Sequence, residues 1–275
     1  MVNQMQKELR LKRQKSVLTM IVKCHISTAE PVGSHLISRE IGLSSATIRN
    51  IMYELEEMGF IWQPHTSSGR VPTYKGYRMY VDSLMEEKEF LESRPANLDE
   101  VLSSIKFDSI EDIIIKGLQL CSRITSQTCI ALFPTLKLKR YLTENLEERT
   151  RDILTFLYDF DDRFYYDGAH YLAEQPEFKD VETISAVLKV LEEKKDLLCI
   201  LEEDSKAGGI KVHIGSENSM SQFNRCSLIT VDYNLEDKIK GSLGIIGPMR
   251  MEYERVIPAV NRIAESISEL FDEII

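Results

Sequence analysis

Two short apolar periods, parted by Gly42-Leu43-Ser44, constrain this chain more than any other feature of its sequence. The first carries Leu36, Ile37 and Ile41, with Ser34 placed to cap a helix and Gly42 to end it through a left-handed residue. The second starts after Ser44, a second cap, and carries Ile48, Ile51, Met52 and Leu55 as far as Met58. Two short helices joined by a tight Gly-containing turn make a helix-turn-helix. An earlier helix is predicted from about Lys7 to Ser27, with Leu11, Val17, Leu18, Ile21 and Val22 on one face and Glu30-Pro31-Val32-Gly33 as its break. After Gly59, Phe60–Gln63 reads as a strand, Pro64–Gly69 as a turn and Arg70-Val71 as the returning strand. Pro72-Thr73 then opens a helix with Tyr77, Val81 and Leu84 on one side. Three helices followed by a hairpin give a winged helix-turn-helix over residues 1–85.

Charge supports a nucleic-acid role for this part alone. Residues 1–82 hold 11 Lys and Arg against 7 Asp and Glu, whereas the whole chain carries a net −10. A basic head on an acidic body fits a DNA-binding module joined to a domain that keeps away from DNA. Cys24, Cys121, Cys129, Cys199 and Cys226 are odd in number and form no C-x-x-C pair, which suits a reducing cytoplasm better than a zinc site or a disulfide framework. The apolar run Ser16–Val22 is too short for a signal peptide, and no stretch reaches the length of a membrane span, so a soluble cytoplasmic protein is expected.

On a wheel of about 100° per residue, Ile48, Ile51, Met52 and Leu55 face the core, and Ala46, Asn50, Tyr53 and Glu57 lie opposite. Recognition helices use their N-terminal half in the major groove. The candidate base readers are therefore Ser45, Ala46, Thr47, Arg49, Asn50 and Tyr53. Asn pairs bidentately with adenine, Arg with guanine, and a small apolar group sits on a thymine methyl. On the wing, His65, Thr66, Ser67, Ser68 and Arg70 are candidate phosphate contacts, and Lys75 and Arg78 on the following helix add charge. Trp62 is expected to pack into the core.

Residues 86–97 are polar and Pro-broken and read as a linker. Beyond them, residues 98–275 read as an α+β domain with a mostly antiparallel sheet. The expected order is a helix capped by Ser109 and running to Thr125, a strand Thr128–Phe133, and a strand near Ile153–Tyr158 with a hairpin at Asp159-Phe160-Asp161-Asp162. A helix from Val181 to about Leu201 follows, then strands Ile210–Ile214, Cys226–Val231 and Gly241–Ile246 and a last helix Arg250–Phe271. Gly241, Gly244 and Gly247 lack dinucleotide-binding spacing and suit close strand packing, the Asp159 loop lacks a calcium-loop Gly and Glu, and the five His show no ligand spacing. With no nucleophile paired to a base, no catalytic site, metal or cofactor is expected.

Several runs resemble the HrcA family of heat-inducible transcription repressors of bacteria. They are Glu30–Ser34, Leu43–Asn50, Gln63–Thr73 and Lys75–Arg78 in the DNA-binding part, and Gln175–Phe178, Ile214–Asn218 and Gly244–Tyr253 in the family's GAF-like domain. The resemblance implies a homodimer on double-stranded DNA at an inverted-repeat operator, called CIRCE, ahead of chaperone operons. It also implies that a chaperonin keeps the repressor competent and that heat inactivates it. The chain is shorter than typical members around residues 134–167, where the family carries a small inserted domain. For the dimer surface, Ile113, Ile114 and Leu118 are favoured, because the Ser109–Thr125 helix is apolar over too much of its girth for a one-sided helix. The stripe Val256, Val260, Ile263 and Ile267 is the other candidate, although packing on its own sheet is preferred for it. A metabolite-sensing regulator is the alternative to a plain repressor, and a pocket of convergent polar groups would favour it.

Overall fold

A computed structural model describes residues 2–93, 98, 100–101, 105, 107, 109–134, 163–235 and 239–274. Contacts divide the chain into two units, Met1–Phe90 with Met249–Tyr253, and Leu91–Pro248 with Glu254–Ile275.

The first unit holds α1 (Val2–Thr28), α2 (Ser34–Ile41), α3 (Ser45–Glu57), β1 (Ile61–Trp62), β2 (Val71–Pro72), α4 (Tyr74–Met85) and α5 (Lys88–Glu92). This is the expected winged helix-turn-helix, with local differences. Ser34 is the first residue of α2, whose cap is Gly33 without a side-chain bond. Gly42 ends that helix at φ 75°, as its lack of a Cβ permits. Ser44 caps α3 by accepting from the Thr47 N–H at 3.1 Å. Ser44→Ala should therefore cost about 1 kcal/mol of stability, measured by urea unfolding.

The wing is shorter than predicted and has a third member. Ile61 pairs with Pro72 and Trp62 with Val71, while Val32 forms an antiparallel bridge to Arg70. The Pro31 segment, expected only to break a helix, thus also edges the wing. Pro72 lies in β2, and Thr73 caps α4 by accepting from the Gly76 N–H. Gly76 sits under β1, where a Cβ would lie 2.3 Å from the Phe60 carbonyl oxygen. Helix α5 falls inside the segment read as linker.

The second unit is built on a five-stranded antiparallel sheet ordered β4-β3-β7-β6-β5. Its strands are β3 (Thr128–Phe133), β4 (Arg163–Asp167), β5 (Lys211–Ile214), β6 (Cys226–Leu235) and β7 (Ile239–Pro248). Strand β4 was not anticipated. The expected strand near Ile153–Tyr158 and the 159–162 hairpin lie outside the described residues. Phe133, at the end of β3, pairs with Arg163, at the start of β4.

Alternation along the strands divides the core into two layers. On one face Ile130, Leu132, Phe164, Leu228 and Ile246 pack with Leu172, Phe178, Val187, Leu191, Leu197, Leu201 and Phe223. These come largely from α7 (His170–Glu174), α8 (Val181–Glu193) and α9 (Lys195–Ala207). A single helix was expected over 181–201, but the chain breaks at Lys194, whose φ is 63°. On the other face Phe271, from α10 (Tyr253–Ile274), stacks on Phe133 and Tyr233 with ring centroids 6.3 and 6.2 Å apart. Close strand packing holds at Gly241 and Gly244: a Cβ on Gly241 would meet the Tyr233 ring at 2.1 Å, and one on Gly244 would meet Ile130.

The helix α6 (Ile110–Thr125) is capped by Ser109 as expected. It lies against β3 and β4, and Gly117 brings it so close to α10 that a Cβ would sit 2.9 Å from Ile267. Ile113, Ile114 and Leu118 are consequently buried within the chain, Ile114 completely. A helix held between a sheet and a second helix is apolar over most of its girth for that reason alone. In this conformation these residues have no face left for a second copy, which corrects the reason for choosing them. Val256, Val260, Ile263 and Ile267 are buried too, in line with the packing preferred for them.

Candidate nucleic-acid interface

Helix α3 buries Ile48, Ile51, Met52 and Leu55 and turns Ala46, Arg49, Asn50 and Tyr53 to solvent. Tyr53 is 61% exposed, a large fraction for an aromatic residue on an amphipathic helix. Ser45 and Thr47 are half-buried, and the Thr47 hydroxyl is engaged with Ser44 Oγ at 2.8 Å. Thr47 thus shapes the first turn, leaving Ala46, Arg49, Asn50 and Tyr53 as the accessible row. The Arg49 Nε donates back to the Ser45 carbonyl at 3.3 Å, a long bond that a guanine edge can replace.

The wing turn is braced by its own side chains. Ser68 Oγ accepts from the His65 N–H at 3.0 Å and donates to the His65 carbonyl at 2.7 Å. Gln63 Nε2 donates to the carbonyls of Thr66 and Ser68 at 3.0 and 2.9 Å. Ser68 is therefore committed to the turn, while His65, Thr66 and Ser67 at its tip are exposed. Trp62, expected in the core, is 48% exposed, because Ile61 takes the inward position of a two-residue strand. Lys75 is exposed, and half-buried Arg78 pairs with Asp82 at 3.3 Å.

Acidic residues on the recognition helix would repel phosphate, and two of them are neutralised. Arg10 of α1 grips Glu54 at 2.6 and 3.2 Å, and Gln14 Nε2 donates to the same carboxylate at 2.6 Å. The Arg10 hydrogen bonds hold the Glu54 carboxyl below its ordinary range, against an opposing push from burial and with help from Gln14. Arg70 of the wing donates from Nε to Glu56 Oε2 at 2.9 Å. The sequence reading passed over Glu54, Glu56, Arg10, Gln14 and Gln63, whose partners lie up to 44 residues away. It placed Arg70 among phosphate contacts; in the structure its guanidinium is turned to Glu56.

A family model described as "Winged helix-turn-helix transcription repressor, HrcA DNA-binding" matches residues 10–85, and one described as "HrcA protein C terminal domain" matches residues 135–257. The heat-inducible transcription repressor HrcA of Brevibacillus brevis is 31% identical over 94% of this chain and 97% of its own length. The chain belongs to the HrcA family. HrcA proteins of Syntrophobacter fumaroxidans and Bacillus pumilus are 31% and 30% identical, each over 95% of this chain and over 97% and 99% of their own. The Brevibacillus alignment spans 333 positions against 275 residues here, so that HrcA relative holds segments this chain lacks. A crystal structure described as that of a hypothetical protein at 2.2 Å resolution shares the fold, with a TM-score of 0.74 over 95% of this chain and 98% of that one at 23% identity. HrcA proteins are transcription repressors and not enzymes, and every candidate DNA contact of this chain lies within the matched 10–85 segment.

Among the described residues no helix is long and apolar enough to cross a membrane, and no group of three or more His, Cys, Asp or Glu is placed to hold a metal. Two hollows mark the second unit. One, about 380 Å³, is lined by Ile105, Lys116, Gln119, Leu120, Arg123 and Asp167. The other, about 510 Å³, is lined by Asp180, Thr183, Ser221, Gln222, Asn224 and Arg225 among others. Both open to solvent, unlike a ligand pocket that encloses most of its guest.

Proposed function

We propose that this HrcA chain represses chaperone operons by binding a CIRCE-type inverted repeat as a homodimer, and that heat releases it from DNA. The observation that carries this reading is the exposed row Ala46, Arg49, Asn50 and Tyr53 on a capped helix beside a braced wing. Those side chains suit base edges, and the exposed His65, Thr66, Ser67 and Lys75 suit phosphates. Two-fold symmetry is the natural match to an inverted repeat, since one winged helix makes too few contacts to select a single site in a genome. By family resemblance, a chaperonin keeps the protein competent.

Metabolite sensing is the less favoured reading. The sheet face under α8 and α9 is filled by Phe164, Phe178, Met220 and Phe223. The test is transcription in vitro from the protein's own chaperone promoters at growth and heat-shock temperatures. Repression at the lower temperature that fades at the higher supports the proposal. Equal transcription with and without the protein at both temperatures would remove it.

A further inference from the structure

Arg70 is the sole Lys or Arg between Ile61 and Pro72, and charge alone would send it to a phosphate. Its surroundings point elsewhere. Its N–H donates to the Val32 carbonyl at 2.9 Å, and its own carbonyl accepts from the Val32 N–H at 2.8 Å. Next to it, Gly69 lies so near Val32 that a Cβ would be 2.5 Å from that residue's carbonyl carbon and oxygen, which leaves room for glycine alone. The strand is therefore pinned where Arg70 emerges. From that pinned backbone the guanidinium reaches Glu56, the second-last residue of α3, with side chains only 20% and 29% exposed.

We propose that Arg70 and Glu56 are a positioning pair that locks the wing to the recognition helix, and that Arg70 makes no phosphate contact. This rests on the DNA-binding reading above. The pair does two things. It fixes where the wing tip stands relative to Ala46, Arg49 and Asn50, so that groove and backbone contacts form in one register. It also cancels a carboxylate on the groove-entering helix, which unpaired would repel phosphates within about 10 Å at 0.1 M salt. Arg10 and Gln14 do the same for Glu54 from α1, so the rear of α3 is tied at two points. Removing one member of a half-buried pair leaves the other uncompensated, so both members matter alike.

A charge swap in the full-length protein separates the two roles. Binding is measured by fluorescence anisotropy on a duplex carrying the footprinted operator and on a random duplex, over a range of salt. Arg70→Glu and Glu56→Arg should each weaken operator binding by about tenfold or more, and the double variant should recover most of the loss with an unchanged salt slope. A phosphate contact predicts the reverse. The double variant would stay as weak as Arg70→Glu, and its log–log salt slope would fall by about one or more. Glu56→Gln, a milder change, gives a second reading if the reversals do not fold. It should weaken operator binding if it breaks a positioning pair, and tighten it if Arg70 is thereby released to phosphate. A native chain that binds neither duplex would overturn the DNA-binding reading itself. Native binding without rescue by the swap would overturn only the pairing.

Discussion

Asn50→Ala and Arg49→Ala are each expected to weaken operator binding by about 1–3 kcal/mol while leaving binding to random duplex nearly unchanged. Both side chains are exposed in the N-terminal half of α3, and neither supports the core. The two unfolding curves should therefore match that of the native protein. A base reader loses discrimination at one base pair, so competition with operators mutated one position at a time should show a single position that no longer matters for each variant. Equal losses on operator and random duplex would assign both residues to the phosphate backbone. Substituting Thr47 should behave differently, because its hydroxyl serves the Ser44 cap and its loss lowers stability along with affinity.

Phe271→Ala should cost about 3–5 kcal/mol in the C-terminal unit. The ring is fully buried between Phe133 and Tyr233, and it anchors the last turns of α10 to the sheet. Truncation leaves a cavity that two strand-borne rings are too constrained to fill. Tyr166→Ala, a half-exposed ring on the edge strand β4, is the control and should change stability by roughly 1 kcal/mol or less. Urea unfolding followed by circular dichroism measures both. A loss under about 1 kcal/mol for Phe271→Ala would mean that α10 is not anchored through this ring.

The helix-turn-helix was legible because its signals are local chemistry. Gly42 must adopt a positive φ and Ser44 must present an oxygen to Thr47, and both are visible within a few residues. What was not legible depends on partners far along the chain. Glu56 cannot be seen to meet Arg70 from spacing, nor Glu54 to meet Arg10. The same holds for α6, whose apolar girth looked like a dimer face until β3, β4 and Ile267 were found around it. Lys194 hides a helix break because neither Gly nor Pro marks its left-handed backbone. Two misses did carry a signal. Trp62 follows Ile61 in a strand, and period two sends neighbours to opposite faces, so burying one exposes the other. The aromatic run Phe164-Tyr165-Tyr166 has strand composition, although its burial falls from Phe164 to Tyr166 and does not alternate.

Protection of DNA tests the central claim most directly. Purified full-length protein is footprinted on the promoter regions of its own chaperone operons, in the presence of excess random duplex. The account predicts protection of two half-sites of one inverted repeat, retained against the competitor and lost in Asn50→Ala at the same protein concentration. Competitor that abolishes protection of the native sites, or protection that persists in Asn50→Ala at full strength, would contradict a sequence-reading role for α3.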